Sequence, residues 1–185
     1  MGTFGVARGG KYWYQQANGG HAVSVADDIS KIIEQEKALV FERFDESEAF
    51  AIGSAIWERG RREGRSIVVL VQLWDRRLFY AALPGTTEDN TEWARRKFNT
   101  VRRFHRSTYR VMLERTYEER VFPAHRALDT ADYAIAGGGV PISVKGIGMV
   151  GAVVVSGLAE RDDHGWVVAA LIERLGLDGK SLTLD

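Results

Sequence analysis

Val25, Ile29, Ile32 and Ile33 recur at the spacing of an amphipathic helix, and Ser24 followed by Asp27 makes the capping-box pattern that would start it. A short apolar strand is expected over residues 39–44. Asp45 and Glu48 then repeat the capping pattern ahead of a second helix, whose inner face carries Ala49, Ile52, Gly53, Ile56 and Gly60. Small residues on that face call for close packing on a sheet. Residues 66–74 and 78–83 read as strands joined through the polar turn Asp75-Arg76-Arg77, an antiparallel hairpin. The unbroken apolar run 67–71 demands cover on both faces of that sheet.

Pro84-Gly85 ends the third strand, and Asn90 or Thr91 can cap a long helix with Trp93, Lys97, Val101, Phe104 and Thr108 on one face. Residues 117–133 show no clear period and read as a broken helix or loop. The triple glycine 137–139 brings backbone close to a neighbour, and Pro141 fixes φ at the mouth of a strand. Lys145-Gly146-Ile147-Gly148 turns the chain into residues 149–155, which are apolar on both faces and so belong at the centre of a sheet lying between helical layers. Asp162 or Asp163 can cap a last helix bearing Val168, Leu171, Ile172 and Leu175.

A chain of 185 residues that is 45% hydrophobic can bury one sizeable core, which divides it into a Gly-rich arm at 1–22 and a single domain at 23–185. Tyr12, Trp13 and Tyr14 within the arm leave two readings open, a disordered leader or a segment used in self-association. Basic and acidic residues balance at 25 each, so there is no global attraction to nucleic acid or anionic membrane. The absence of cysteine excludes disulfides, thiolate nucleophiles and iron–sulfur ligation. The longest apolar stretch, about 13 residues, falls short of a bilayer. No apolar centre marks a signal peptide near the N-terminus, so the expected location is the cytoplasm.

The G-G-G-x-P-I strand at 137–142, the V-G-x-V-x-V-S-G-L stretch at 150–158 and Asp162-Asp163-His164 together resemble the haem-degrading-like family. That family includes the glycolate-operon protein GlcG, a secreted haem-binding sensor and the C-terminal domain of PduO-type adenosyltransferases. The block 78–87, with Asn90, Trp93, Lys97 and the run Phe104-His105-Arg106-Ser107, is similar to a cytosolic branch of it. The resemblance spans residues 25–176. It implies an α+β fold, a three-layer α/β/α sandwich around a five-stranded antiparallel sheet, and with it haem as a cofactor and closed homo-oligomers.

A candidate site follows on the flank of the third helix, where Asn90, Trp93, Lys97 and His105 recur at spacings of three, four and eight. Lys97 can bind a carboxylate or phosphate, Asn90 and Thr86 can orient it, and Trp93 can form an apolar wall. His105 can move a proton or ligate haem, which makes His105 and Lys97 the catalytic candidates. Gly138 and Gly139 would present backbone N–H groups to the same ligand. The alternative is that Lys97 is an ion-paired lysine and His105 a satisfied histidine. Haem needs an axial ligand, for which His105, His125 and His164 are candidates, although a capping-region histidine held by Asp162 and Asp163 also accounts for His164. No metal site is expected, since adjacent helical residues point apart. Arg95, Arg96, Arg102, Arg103, Arg106 and Arg110 make one segment basic, with pairing to acids preferred over nucleic acid. Two functions are carried forward. The first is a cytosolic small-ligand or haem binder, with haem degradation as a further activity. The second is an oligomeric enzyme or accessory subunit acting on a small carboxylate-bearing metabolite.

Overall fold

The structure is a computed structural model that describes residues 24–184, so the expectations for Tyr12, Trp13 and Tyr14 of the arm lie outside the described residues. The elements run α1 (Val25–Ala38), β1 (Val40–Phe41), α2 (Glu46–Arg62), β2 (Val68–Leu73), β3 (Arg77–Ala82), α3 (Glu88–Phe104), α4 (Thr108–Leu113), β4 (Gly139–Val144), β5 (Gly148–Ser156), α5 (Glu160–Leu175) and α6 (Gly179–Leu182). Ser24 and Asp27 complete the expected capping box of α1, and Asp45 accepts from the Ser47 and Glu48 amides at the start of α2. Residues 117–133 are irregular apart from one 3₁₀ turn at Ala124–Arg126.

The five strands lie in the order β1-β4-β5-β2-β3. This corrects the antiparallel expectation, because β1 pairs with β4 in parallel and the sheet is mixed. The reason lies in α2. The chain leaves the two-residue β1, crosses through α2 and enters the sheet on the far side of β5, so β1 is left beside β4 at the opposite edge. Asp45 then caps α2 four residues beyond β1, which leaves little room for the longer strand expected at 39–44.

The apolar run of β5 divides between two cores, as two-sided cover requires. Val153 and Val155 join Val69 and Val71 of β2, Val140 and Ile142 of β4, Ile52 and Ile56 of α2, and Val167 and Leu171 of α5. Ala152 and Val154 join Val68 and Leu70 with Ala94, Phe98 and Val101 of α3. Alternate residues of one strand thus serve different helices. A third cluster, with Ile32 of α1, Tyr109 and Met112 of α4, Phe122 and Ile135, closes the end of the molecule beside α3.

Gly151 sits opposite Leu73 in the β2–β5 ladder, and a Cβ there would run into the backbone of Gln72 and come within 2.8 Å of the Leu73 Cα. The neighbouring strand cannot retreat without opening the ladder. Gly151→Ala should therefore destabilise the fold by about 2 kcal/mol, within the range for overpacking a filled core. Thermal melts of the two proteins check this, with an expected fall in midpoint of roughly 4–8 °C.

Candidate functional site

Lys97 faces inward from the middle of α3 and is 3% exposed. Its Nζ donates to Asp163 Oδ2 at 2.7 Å and to the Val155 carbonyl at 3.0 Å, while Asp163 Oδ1 accepts from the Leu158 amide at 3.0 Å. One ammonium therefore ties α3 to the end of β5 and the first turns of α5. Burial pulls the Lys97 ammonium below its ordinary value and pushes the Asp163 carboxyl above its own, and the charge of each partner opposes both shifts. Gly138 completes the arrangement at φ 118°, a conformation suited to glycine, and a Cβ there would lie 2.8 Å from Lys97 Nζ. The Gly139 amide donates to Thr108 Oγ1 at 2.9 Å.

The structure thus brings Lys97, Gly138 and Gly139 together inside the protein, where the Lys97 charge and the Gly139 amide are spent on neighbours. The remaining candidates serve separate contacts. Thr87 is the N-cap of α3, where Asn90 or Thr91 was expected, and Asn90 Oδ1 accepts from the Thr87 amide at 2.9 Å as the third-position member of a capping box. Thr86 donates through Oγ1 to the Leu83 carbonyl at 2.7 Å. Trp93 lies beneath the Arg96 guanidinium, 4.0 Å from the ring centroid.

His105 is the candidate that faces solvent. It is the C-cap of α3 at φ 51° and ψ 43°, a left-handed conformation that few non-glycine residues adopt, and it separates α3 from α4. The face expected to run through Thr108 is accordingly broken between two helices. The His105 ring stacks on Trp74, with centroids 6.0 Å apart and planes 12° apart, and Trp74 in turn packs on buried Phe98 at 5.7 Å. Trp74 Nε1 donates to the Met149 carbonyl at 2.8 Å, which holds the indole in place under the imidazole. Trp74 was not anticipated from the chain, where it reads only as the end of a strand.

His164 overturns its expected role as a histidine held by carboxylates near a cap. The helix begins earlier, at Glu160 with Ala159 as N-cap, and His164 is 1% exposed. Its Nε2 meets Gln35 Oε1 at 2.8 Å; because Gln35 Nε2 donates to the Leu182 carbonyl at 2.6 Å, Gln35 presents its oxygen and the imidazole carries its proton on Nε2. Burial, followed by the Arg161 charge, holds His164 down to about 3. Around it α1, α4 and α5 share a polar seam: Tyr109 donates to Asp28 Oδ2 at 3.3 Å, and Arg161 grips the same carboxylate through Nε at 3.2 Å and Nη2 at 3.0 Å. Burial, with the Asp28 charge behind it, pushes the Tyr109 phenol up.

Haem requires an accessible axial donor. His164 is buried and bonded to Gln35, whereas His105 and His125 are both exposed, and of these two His105 is stacked on an indole. Three arginines of the basic segment pair with acids within the chain, Arg95 with Glu92 and Asp132, Arg106 with Glu114, and Arg110 with Glu36 and Glu114. Among the described residues no helix is long and apolar enough to cross a membrane.

The comparisons with known proteins agree with this fold. The sequence profile described as "Haem degrading protein HbpS-like" matches residues 44–172. A UPF0303 protein of Mesorhizobium japonicum is 54% identical over 162 residues, covering 88% of this chain and 97% of that one. The crystal structure of the Ybr137w protein superposes with a TM-score of 0.71 at 24% identity, over 78% of this chain and 86% of that one. The crystal structure of a PduOC:haem complex gives a TM-score of 0.57 at 16% identity, over 71% and 94%. The chain belongs to the HbpS-like haem-degrading family.

Two consequences can be measured. Lys97→Met strands the Asp163 charge in the core and should cost about 3–5 kcal/mol in denaturant unfolding, and pairing it with Asp163→Asn should recover most of that loss. Equal costs for the single and double variants would show that the pair is not what holds α3 to α5. The second concerns pH. His164 titrates near 6.5 when unfolded but at about 3 when folded, so between these values the unfolded chain takes up a proton that the folded one refuses. Stability is full above pH 6.5 and falls as pH drops below it, by up to about 1.4 kcal/mol per unit. Urea unfolding between pH 7.5 and 4.5 should show this slope in the native protein and a shallower one in His164→Leu.

Proposed function

We propose that this member of the HbpS-like family is a cytosolic binder of haem or a haem-related small ligand, held at the surface beside His105. The family match supports the ligand class, and a solvent-facing imidazole stacked on a fixed indole is the observation that carries the site. The imidazole there is an available axial donor, and the Phe98–Trp74 column behind it gives the ring a rigid backing. When bound, haem would supply the iron and the redox chemistry. The chain's own contribution is to hold His105 at the end of α3 in a conformation that keeps its ring off the core.

The same reading takes residues 23–185 as one three-layer α/β/α domain that self-associates. Support for the layers comes from the division of alternate β5 residues between the α2/α5 and α3 clusters. Support for association comes from the open edge of β3 and from Phe50, which is 65% exposed and packs edge-on against Phe79. The alternative reading, action on a carboxylate-bearing metabolite, needs a cation other than Lys97, whose charge is bound to Asp163.

Haem titrated into the purified protein should produce a saturable Soret shift at one equivalent. His105→Ala should weaken binding at least tenfold with no change in thermal midpoint, because the side chain is exposed. A native titration that never saturates rejects haem as the ligand, and equal affinity in His105→Ala rejects this site.

A further inference from the structure

The segment 129–133 is stitched to one flank of α3 by side chains at regular helical intervals. Arg95 Nη2 donates to the Ala131 carbonyl at 2.6 Å, Arg96 Nη1 to the Thr130 carbonyl at 3.4 Å and Asn99 Nδ2 to the Asp132 carbonyl at 2.9 Å. The next residues on that flank are Arg102 and Arg103, three and four positions beyond Asn99. By then the segment has turned inward, since Ala134 exchanges hydrogen bonds with Thr100 in the interior. A groove of about 470 Å³ remains, lined by Asn99, Arg102, Arg103, Asp132 and Tyr133.

The electrostatics of this groove are one-sided. Asp132 contributes the only carboxylate among the lining residues, and Arg95 already holds it at 3.0 Å. Arg102 and Arg103 are exposed, and neither has an ion-pair partner among the described residues, unlike Arg95, Arg106 and Arg110 of the same segment. Tyr133 is half-buried with its ring edge-on to Phe122, centroids 6.5 Å apart, which fixes the wall of the groove. Adjacent residues on a helix point apart, but arginine side chains are long enough for both to line this one groove, and guanidinium groups suit the oxygens of a phosphate or carboxylate.

We propose that the groove between α3 and residues 129–133 binds a compact dianionic group, a phosphate monoester or a dicarboxylate, through Arg102 and Arg103. This site is separate from the surface at His105 and does not depend on the haem reading. The probes are inorganic phosphate and succinate, titrated calorimetrically at an ionic strength held constant with sodium chloride. One of them should bind saturably at one equivalent, and which one binds more tightly identifies the ligand class. Arg102→Gln/Arg103→Gln should weaken that binding at least tenfold while leaving the ligand-free thermal midpoint unchanged. Should the double variant melt early, Arg102→Gln alone gives the same comparison. Absence of saturable binding by both probes, or equal binding by the variants, overturns the proposal. A haem titration of the double variant should match the native protein. Joint loss of haem and anion binding would assign these arginines to the haem site and overturn a separate anion site.

Discussion

One buried contact, the Lys97–Asp163 pair, joins α3 to the end of β5 and to α5. Two charges removed from water cost several kcal/mol each unless they meet good partners, so the geometry tolerates little displacement. Lys97 satisfies Asp163 and the Val155 carbonyl, and Asp163 also takes the Leu158 amide. Sliding α3 by one turn would leave an ammonium and a carboxylate stranded in a valine-rich interior. An apolar pair of equal volume would hold α3 against α5 without specifying how the two helices align. Gly138 belongs to the same constraint, for only a residue without a Cβ leaves room for the ammonium between β4 and α5.

Elements governed by local chemistry were legible in the chain. The capping box at Ser24 and the side-chain cap at Asp45 act over three residues, and the apolar runs of β2 and β5 announce their two-sided cover whatever the topology. Partners distant in sequence were not. Nothing near Lys97 indicates that its counter-charge lies 66 residues away, and nothing near His164 points to Gln35, 129 residues back. The parallel pairing of β1 was hidden for the same reason, because two residues carry too little pattern to reveal which neighbour they meet.

Lys97 shows what the spacing along a helix flank does and does not specify. Asn90, Trp93 and Lys97 do recur at helical spacing, but the spacing says only that they share a side of α3, and that side runs from the exposed first turn into the core. Asn90 is consumed by capping and Lys97 by Asp163, which leaves the imidazole at the far end as the open member of the set. His105 escapes the core because the helix stops there. Its left-handed backbone turns the chain toward α4, and the aromatic column beneath it keeps the ring at the rim.

α3 therefore has two kinds of surface with different demands. Its inner side, with Ala94, Phe98 and Val101 against β2 and β5 and Lys97 against Asp163, is closed to change because every group is matched to one partner. Its outer flank is held by side-chain bonds to three consecutive carbonyls of the segment 130–132, and those bonds require only that Arg95, Arg96 and Asn99 be present. Beyond them, Arg102, Arg103 and His105 are exposed, with the His105 ring stacked on Trp74 at the rim. Their side chains lie outside the clusters that cover the sheet. The inner half of α3 is thus the mounting on which its exposed C-terminal end is presented.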